Sequence, residues 1–172
     1  MSKSKGGKVG FIAILIVLVM LIVAIVGVCI DWVSFTAQAG GGLIESEAQG
    51  INLSDLFDTF GEADGEIGGA FKAMASFAIL TAILAAATTI LAGICKVLGW
   101  KLFRFILVVV AIVCVVCGVV TVITSYTFCD KLGSGGFGDI LAGENAPAIG
   151  MWLTSIGGAL AGLVGIFAAV KS

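Results

Sequence analysis

Five of the chain's eleven acidic residues fall within one short stretch, "INLSDLFDTFGEADGE" at 51–66. Carboxylates at this density can bind a hard cation, or work as a pair in acid-base catalysis. A calcium loop of the EF-hand type needs acids or amides at its positions 1, 3 and 5, a glycine at 6 and a glutamate at 12. "DTFGEADGEIGG", which begins at Asp58, does not keep that spacing. Asp58, Glu62, Asp64 and Glu66 therefore read as a solvated acidic face, and no metal site is assigned. Catalysis by paired carboxylates requires a pocket that drives two pKa values apart, and nothing in the sequence points to one.

The other chemistry-bearing residues are five cysteines; the chain has no histidine. That excludes the commonest general base, haem ligation by histidine and His-containing metal centres. Cys114 and Cys117 sit one helical turn apart in an apolar run, where thiolates are strongly disfavoured, so both read as small packing residues. Cys29 and Cys129 are both expected near the outer surface, where a disulfide would persist. Bridged Cα atoms must lie within about 7 Å, whereas diagonal helices of a four-helix bundle stand roughly 13 Å apart, so the pairing stays open. Cys95 is expected to be free or lipid-modified. "GSGGFG" at 133–138 lacks the Lys-Ser/Thr of a phosphate loop and reads as a flexible tip. Asn52-Leu53-Ser54 matches the glycosylation pattern, but a helix cap at Asn52 or Ser54 is the preferred reading. No catalytic set, cofactor or nucleic-acid surface emerges, and the chain is expected not to be an enzyme.

These residues are set among elements that belong in a bilayer. Of 172 residues, 60% are hydrophobic and 12% charged, with a mean hydropathy of +1.21. Crossing roughly 30 Å of hydrocarbon takes about 20 helical residues. Four stretches qualify: Val9 to Ile30, Phe71 to Cys95, Leu102 to Ser125 and Ala148 to Val170. The first follows three lysines as a signal peptide would, but its apolar run is too long and no cleavage pattern follows, so it reads as a retained span. The expected fold is an all-α membrane protein in a single domain, 1–172. It is an up-down-up-down four-helix transmembrane bundle with outer loops at 31–70 and 126–147 and an inner turn at 96–101.

Charge sets the expected orientation, because cytoplasmic flanks are rich in Lys and Arg. With both termini inside, the inner flanks hold Lys3, Lys5, Lys8, Lys96, Lys101, Arg104 and Lys171 and no acid. The outer segments then hold all eleven acids with only Lys72 and Lys131. Trp32, Trp100, Tyr126 and Trp152 all fall near predicted span ends, as expected of aromatic residues with a polar handle at the headgroup level. The expected location is the plasma or cell membrane, with both termini cytoplasmic.

In the first outer loop, Leu53, Leu56, Phe57 and Phe60 recur at helical spacing between polar residues. They predict a short amphipathic helix ending near Gly61. Its apolar stripe must be covered by the membrane surface, the top of the bundle or a neighbouring subunit. Span four carries Gly157, Ala161 and Gly165 at four-residue intervals, with Gly158 and Gly162 beside them. Span two carries Ala78, Ala82 and Ala86. Such stripes allow close helix approach, either inside one bundle or between subunits. The only ionisable Asp, Glu, Lys, Arg or His within the spans are Lys72 and Arg104, each within the first three residues of its span, so none stands mid-span as in a pump or proton relay. Pro147 is expected to open span four as a first-turn residue.

The layout resembles the broad claudin-like tetraspan group: four spans, both termini inside, a longer first outer loop opening on Trp32, and a shorter second loop. The Trp-Gly-Leu-Trp and paired-cysteine signature of the claudin first loop is absent, as is the Cys-Cys-Gly of a tetraspanin loop. The resemblance implies membrane organisation, adhesion or accessory work with lateral self-association. The expected partners are the lipid bilayer and either further copies of the chain or other membrane proteins. Competing readings are an oligomeric channel subunit with an acidic mouth and an accessory subunit of a larger membrane complex.

Overall fold

The computed structural model describes residues 4–35, 38–39, 44–45, 49–62, 65–98, 101–134 and 145–171. Four long apolar helices dominate: α1 (Ser4–Cys29), α3 (Gly65–Leu98), α4 (Lys101–Ser134) and α5 (Ile149–Lys171). Each is long and apolar enough to cross a membrane, and together they form an antiparallel bundle of the expected order. The short helix α2 (Leu53–Phe60) and the strands lie at the end away from the chain termini, called here the sheet end.

Helix α5 occupies the middle of the packing, against α1, α4 and α3, while α3 also runs along α4. Its glycines make this possible. A Cβ on Gly157 would stand 2.9 Å from the Ala24 nitrogen of α1, and one on Gly162 would stand 2.6 Å from the Ala111 carbonyl oxygen of α4. One on Gly158 or Gly165 would run into the methyl of Thr81 or Thr88 on α3. At the sheet end, the bare Cα of Gly150 fits beneath the carbonyls of Gly27, Ile30 and Asp31. Apolar solvation drives helices together only weakly in lipid, so backbone approach of this kind supplies the dispersion contacts that hold the bundle.

The apolar runs at 71–95 and 102–125 lie inside helices of 34 residues each. Such a helix is about 51 Å long against a hydrocarbon core of about 30 Å. The excess is largest at the sheet end, where 65–70 and 126–134 continue as helix into the segments expected to be loops. The physical reason lies in Phe128, Cys129 and Leu132, which carry the buried face of α4 past the end of its hydropathic run. Lys131 and Glu66 join the two projecting ends with an ion pair at 2.7 Å.

Two small sheets complete the sheet end. Strand β1 (Asp31–Phe35) lies between β4 (Gln49–Asn52) and β5 (Asn145–Pro147), antiparallel to both, so it joins the two loops. Strands β2 (Gln38–Ala39) and β3 (Ile44–Glu45) pair separately. The first part of the segment expected to be an outer loop thus carries strands. Pro147 does not open α5: it pairs with Val33 in β5, an edge strand where its missing N–H costs no ladder bond. Helix α5 begins two residues later, after the Ala148 N–H bonds to the Trp32 carbonyl at 2.8 Å.

Candidate functional site

At the sheet end, the acidic stretch folds as its periodicity predicts. Asn52 caps α2, its side-chain oxygen accepting the Asp55 N–H at 2.9 Å. The Asn52 amide donates in return to the Asp55 carboxylate, also at 2.9 Å. The first of these bonds satisfies one helix-terminal N–H that would otherwise be orphaned, and the second holds the capping side chain in place. Gly61 closes the helix with right-handed backbone, its N–H bonded to the Phe57 carbonyl at 2.8 Å.

The apolar stripe of α2 is covered by the bundle itself. Leu53, Leu56 and Phe60 are buried, while Phe57 stays 41% exposed with its ring edge-to-face on Phe71 at 5.1 Å. Phe60 reaches Phe128 at 5.6 Å, and Phe71 meets Phe128 at 5.8 Å. The four rings tie α2 to α3 and α4. The pairing of aromatic edges and faces adds to the area they bury. Asp55 and Asp58 remain on the exposed side. Among the described residues, no three His, Cys, Asp or Glu side chains converge to hold a metal ion. Asp64 lies outside the described residues.

Trp32 departs from its expected place. It is wholly buried beneath the sheet, and its indole N–H donates to the Gly27 carbonyl at 2.8 Å. With its polar atom satisfied internally, the ring has no need of the headgroup layer. Tyr126 and Trp152 do remain exposed, and their rings meet edge-to-face at 6.2 Å across α4 and α5. Trp100 lies outside the described residues. Cys29 and Cys129 are both free thiols, the first exposed and the second buried. They sit on α1 and α4, the two long helices with least mutual contact, which is the diagonal arrangement that obstructs a bridge.

The bundle interior holds a seam of small polar groups. Thr81 and Thr121 bring their hydroxyl oxygens to 3.2 Å across α3 and α4, and either can donate. The Cys114 thiol donates to the Gly158 carbonyl at 3.2 Å, and the Thr154 hydroxyl to the Ala24 carbonyl at 3.3 Å. Thr81 and Thr121 also lie within 2.7 and 2.8 Å of the Phe77 and Cys117 carbonyls one turn back in their own helices; each hydroxyl has a single proton, so the one that donates across the helices gives up its backbone bond. The three bonds that cross between helices, at Thr81–Thr121, Cys114–Gly158 and Thr154–Ala24, are each worth roughly 0.6 kcal/mol in a membrane setting. They supply adhesion within the fold and contain no nucleophile-base pair.

The two small-residue stripes meet different fates. Gly157, Gly158, Ala161, Gly162 and Gly165 are all buried against α1, α3 and α4. On α3, Ala78 is buried, but Ala82 and Ala86 are only half-buried, on the flank beside exposed Ile79, Ile83 and Ile90. Further along that flank, a Cβ added to Gly93 would meet nothing within 4 Å. There a shallow groove of about 450 Å³ is lined by Thr89, Ile90, Gly93, Ile94, Val97 and Leu98. A second groove, of about 300 Å³, lies between α1 and α5 around Ala13 and Leu163.

Several of these features left no usable sign in the sequence. Phe71 opens an expected span and Phe128 falls in a segment expected to be loop, and their meeting depends on how far α3 and α4 project. The close approach at Gly27 follows from the α1–α5 crossing, since Gly27 belongs to no four-residue stripe, whereas Gly150 continues the row of Thr154, Gly158 and Gly162. No family model, curated protein or solved structure matches the chain.

Proposed function

We propose that the chain is a non-enzymatic tetraspan of the plasma membrane, with both termini cytoplasmic, that self-associates laterally and organises or adheres membranes as the claudin-like group does. The observation that carries this reading is the uncovered flank of α3. The glycines of α5 are consumed inside the bundle, whereas Ala82 and Ala86 keep small side chains on a face that another helix can approach. The sheet end, with Asp55, Asp58 and Glu62 exposed, then stands outside the cell as the surface offered to neighbouring molecules. The distribution of Lys and Arg supports that orientation.

Substitution on the α3 stripe tests the reading. Ala86→Leu is expected to shift the protein in mild detergent toward monomer, with helix content and thermal stability retained. An unchanged oligomer distribution would remove this flank as the interface.

A further inference from the structure

The groove on α3 lies close to the end of the bundle that bears the chain termini. It is lined almost wholly by hydrocarbon, from Thr89 through Gly93 to Leu98. Leu98 is the last residue of α3, and Lys101 opens α4 three positions on, so the two Cα atoms are at most about 11 Å apart. Lys101 is exposed, and Lys96, also exposed, holds its ammonium 4.8 Å from the Phe11 ring centroid of α1. In sequence, every charged residue from 1 to 30, from 71 to 129 and from 145 to 172 is basic, so this end offers a lipid headgroup cations without a competing carboxylate.

We infer that the α3 groove is a binding site for one anionic phospholipid, with an acyl chain along Gly93 and Val97 and the phosphate at Lys101. The charge pattern selects this occupant. A groove facing hydrocarbon accepts any acyl chain, but charges of one sign at the adjoining helix ends discriminate among headgroups, as basic sites at the ends of transmembrane helices do. Gly93 makes the groove deep enough for a chain, since any larger side chain would occupy space that is open in the fold. That space also makes the test clean. Leucine at 93 meets no neighbouring atom closer than ordinary contact at its Cβ and replaces a poor helix former with a good one, so the variant keeps its fold.

The test is native mass spectrometry of the full chain, released from detergent holding equimolar phosphatidylglycerol and phosphatidylcholine with the same acyl chains. The wild-type chain is expected to retain one phosphatidylglycerol in preference to phosphatidylcholine. Gly93→Leu is expected to lose that bound lipid. Lys101→Gln is expected to lower the preference about fivefold, the change given by removing one cation near the headgroup layer. Equal retention of the two lipids by the wild-type chain would overturn the assignment, as would retention unchanged in both variants. Efficient oxidative cross-linking of a Gly93→Cys variant into dimers through position 93 would assign the groove to a second copy and overturn it equally.

Discussion

Glycine at 158 and alanine at 86 are both small residues in membrane helices, yet the fold uses them differently. Gly158 faces the Thr81 methyl, and its carbonyl accepts the Cys114 thiol, so any side chain there must push aside the Thr81 side chain and strain the α3–α5 contact. Gly158→Leu is therefore expected to destabilise the folded chain by about 1–3 kcal/mol, the usual range for overpacking. Reversible unfolding in mixed micelles would measure it, and a wild-type midpoint would contradict the packing described. Ala86, half-buried on a flank, tolerates the same enlargement within the monomer. Asn52 is a second residue whose role is local. Asn52→Ala removes the cap of α2 at a cost of about 0.5–2 kcal/mol, and Asn52→Ser restores most of it. Faster amide exchange confined to 53–60 in the alanine variant is the expected signature; exchange unchanged from the wild-type chain would contradict the cap.

Among the elements, α2 depends most on its neighbours. Its eight residues are too few to hold a helix alone, and Phe60, Phe71 and Phe128 supply what propensity cannot. Phe128→Ala is expected to cost about 3–5 kcal/mol and to release α2, read as new proteolytic cleavage between 49 and 65 with the membrane helices intact. Protection at the wild-type level would show that α2 is held by something else. The existence of α2, its buried stripe and its cap were legible in the sequence because each is a local pattern. The four long helices were legible because hydrocarbon thickness fixes the length of an apolar run. Their true ends were not, because Phe128 and Leu132 extend α4 through contacts made by α2 and α3, far away in sequence. Trp32 was misplaced for the same reason. Its residue type favours the headgroup layer, but the pairing of β1 with β4 and β5 places it under a sheet whose strands come from two loops. The small-residue stripes were visible as patterns, though nothing in one sequence says which faces its own bundle.

The whole molecule is a four-helix membrane bundle with one elaborated end. The helices are joined by glycine contacts and by single hydrogen bonds between Thr81 and Thr121 and from Cys114 and Thr154, and none of these side chains is a carboxylate, lysine or arginine. At the sheet end, the strands and α2 tie both loops to the projecting helices, so the acidic face is carried on a packed platform. A molecule built this way offers surfaces, and lateral association through the α3 flank is the function we propose for it. Chemical cross-linking in the native membrane, with linked peptides identified by mass spectrometry, tests that claim most directly. The expected result is a link between the Lys72 side chains of two copies, which no single chain can supply, and its loss in Ala86→Leu. Lys72 linked only to lysines of its own chain, or only to another polypeptide, would contradict self-association as the protein's task.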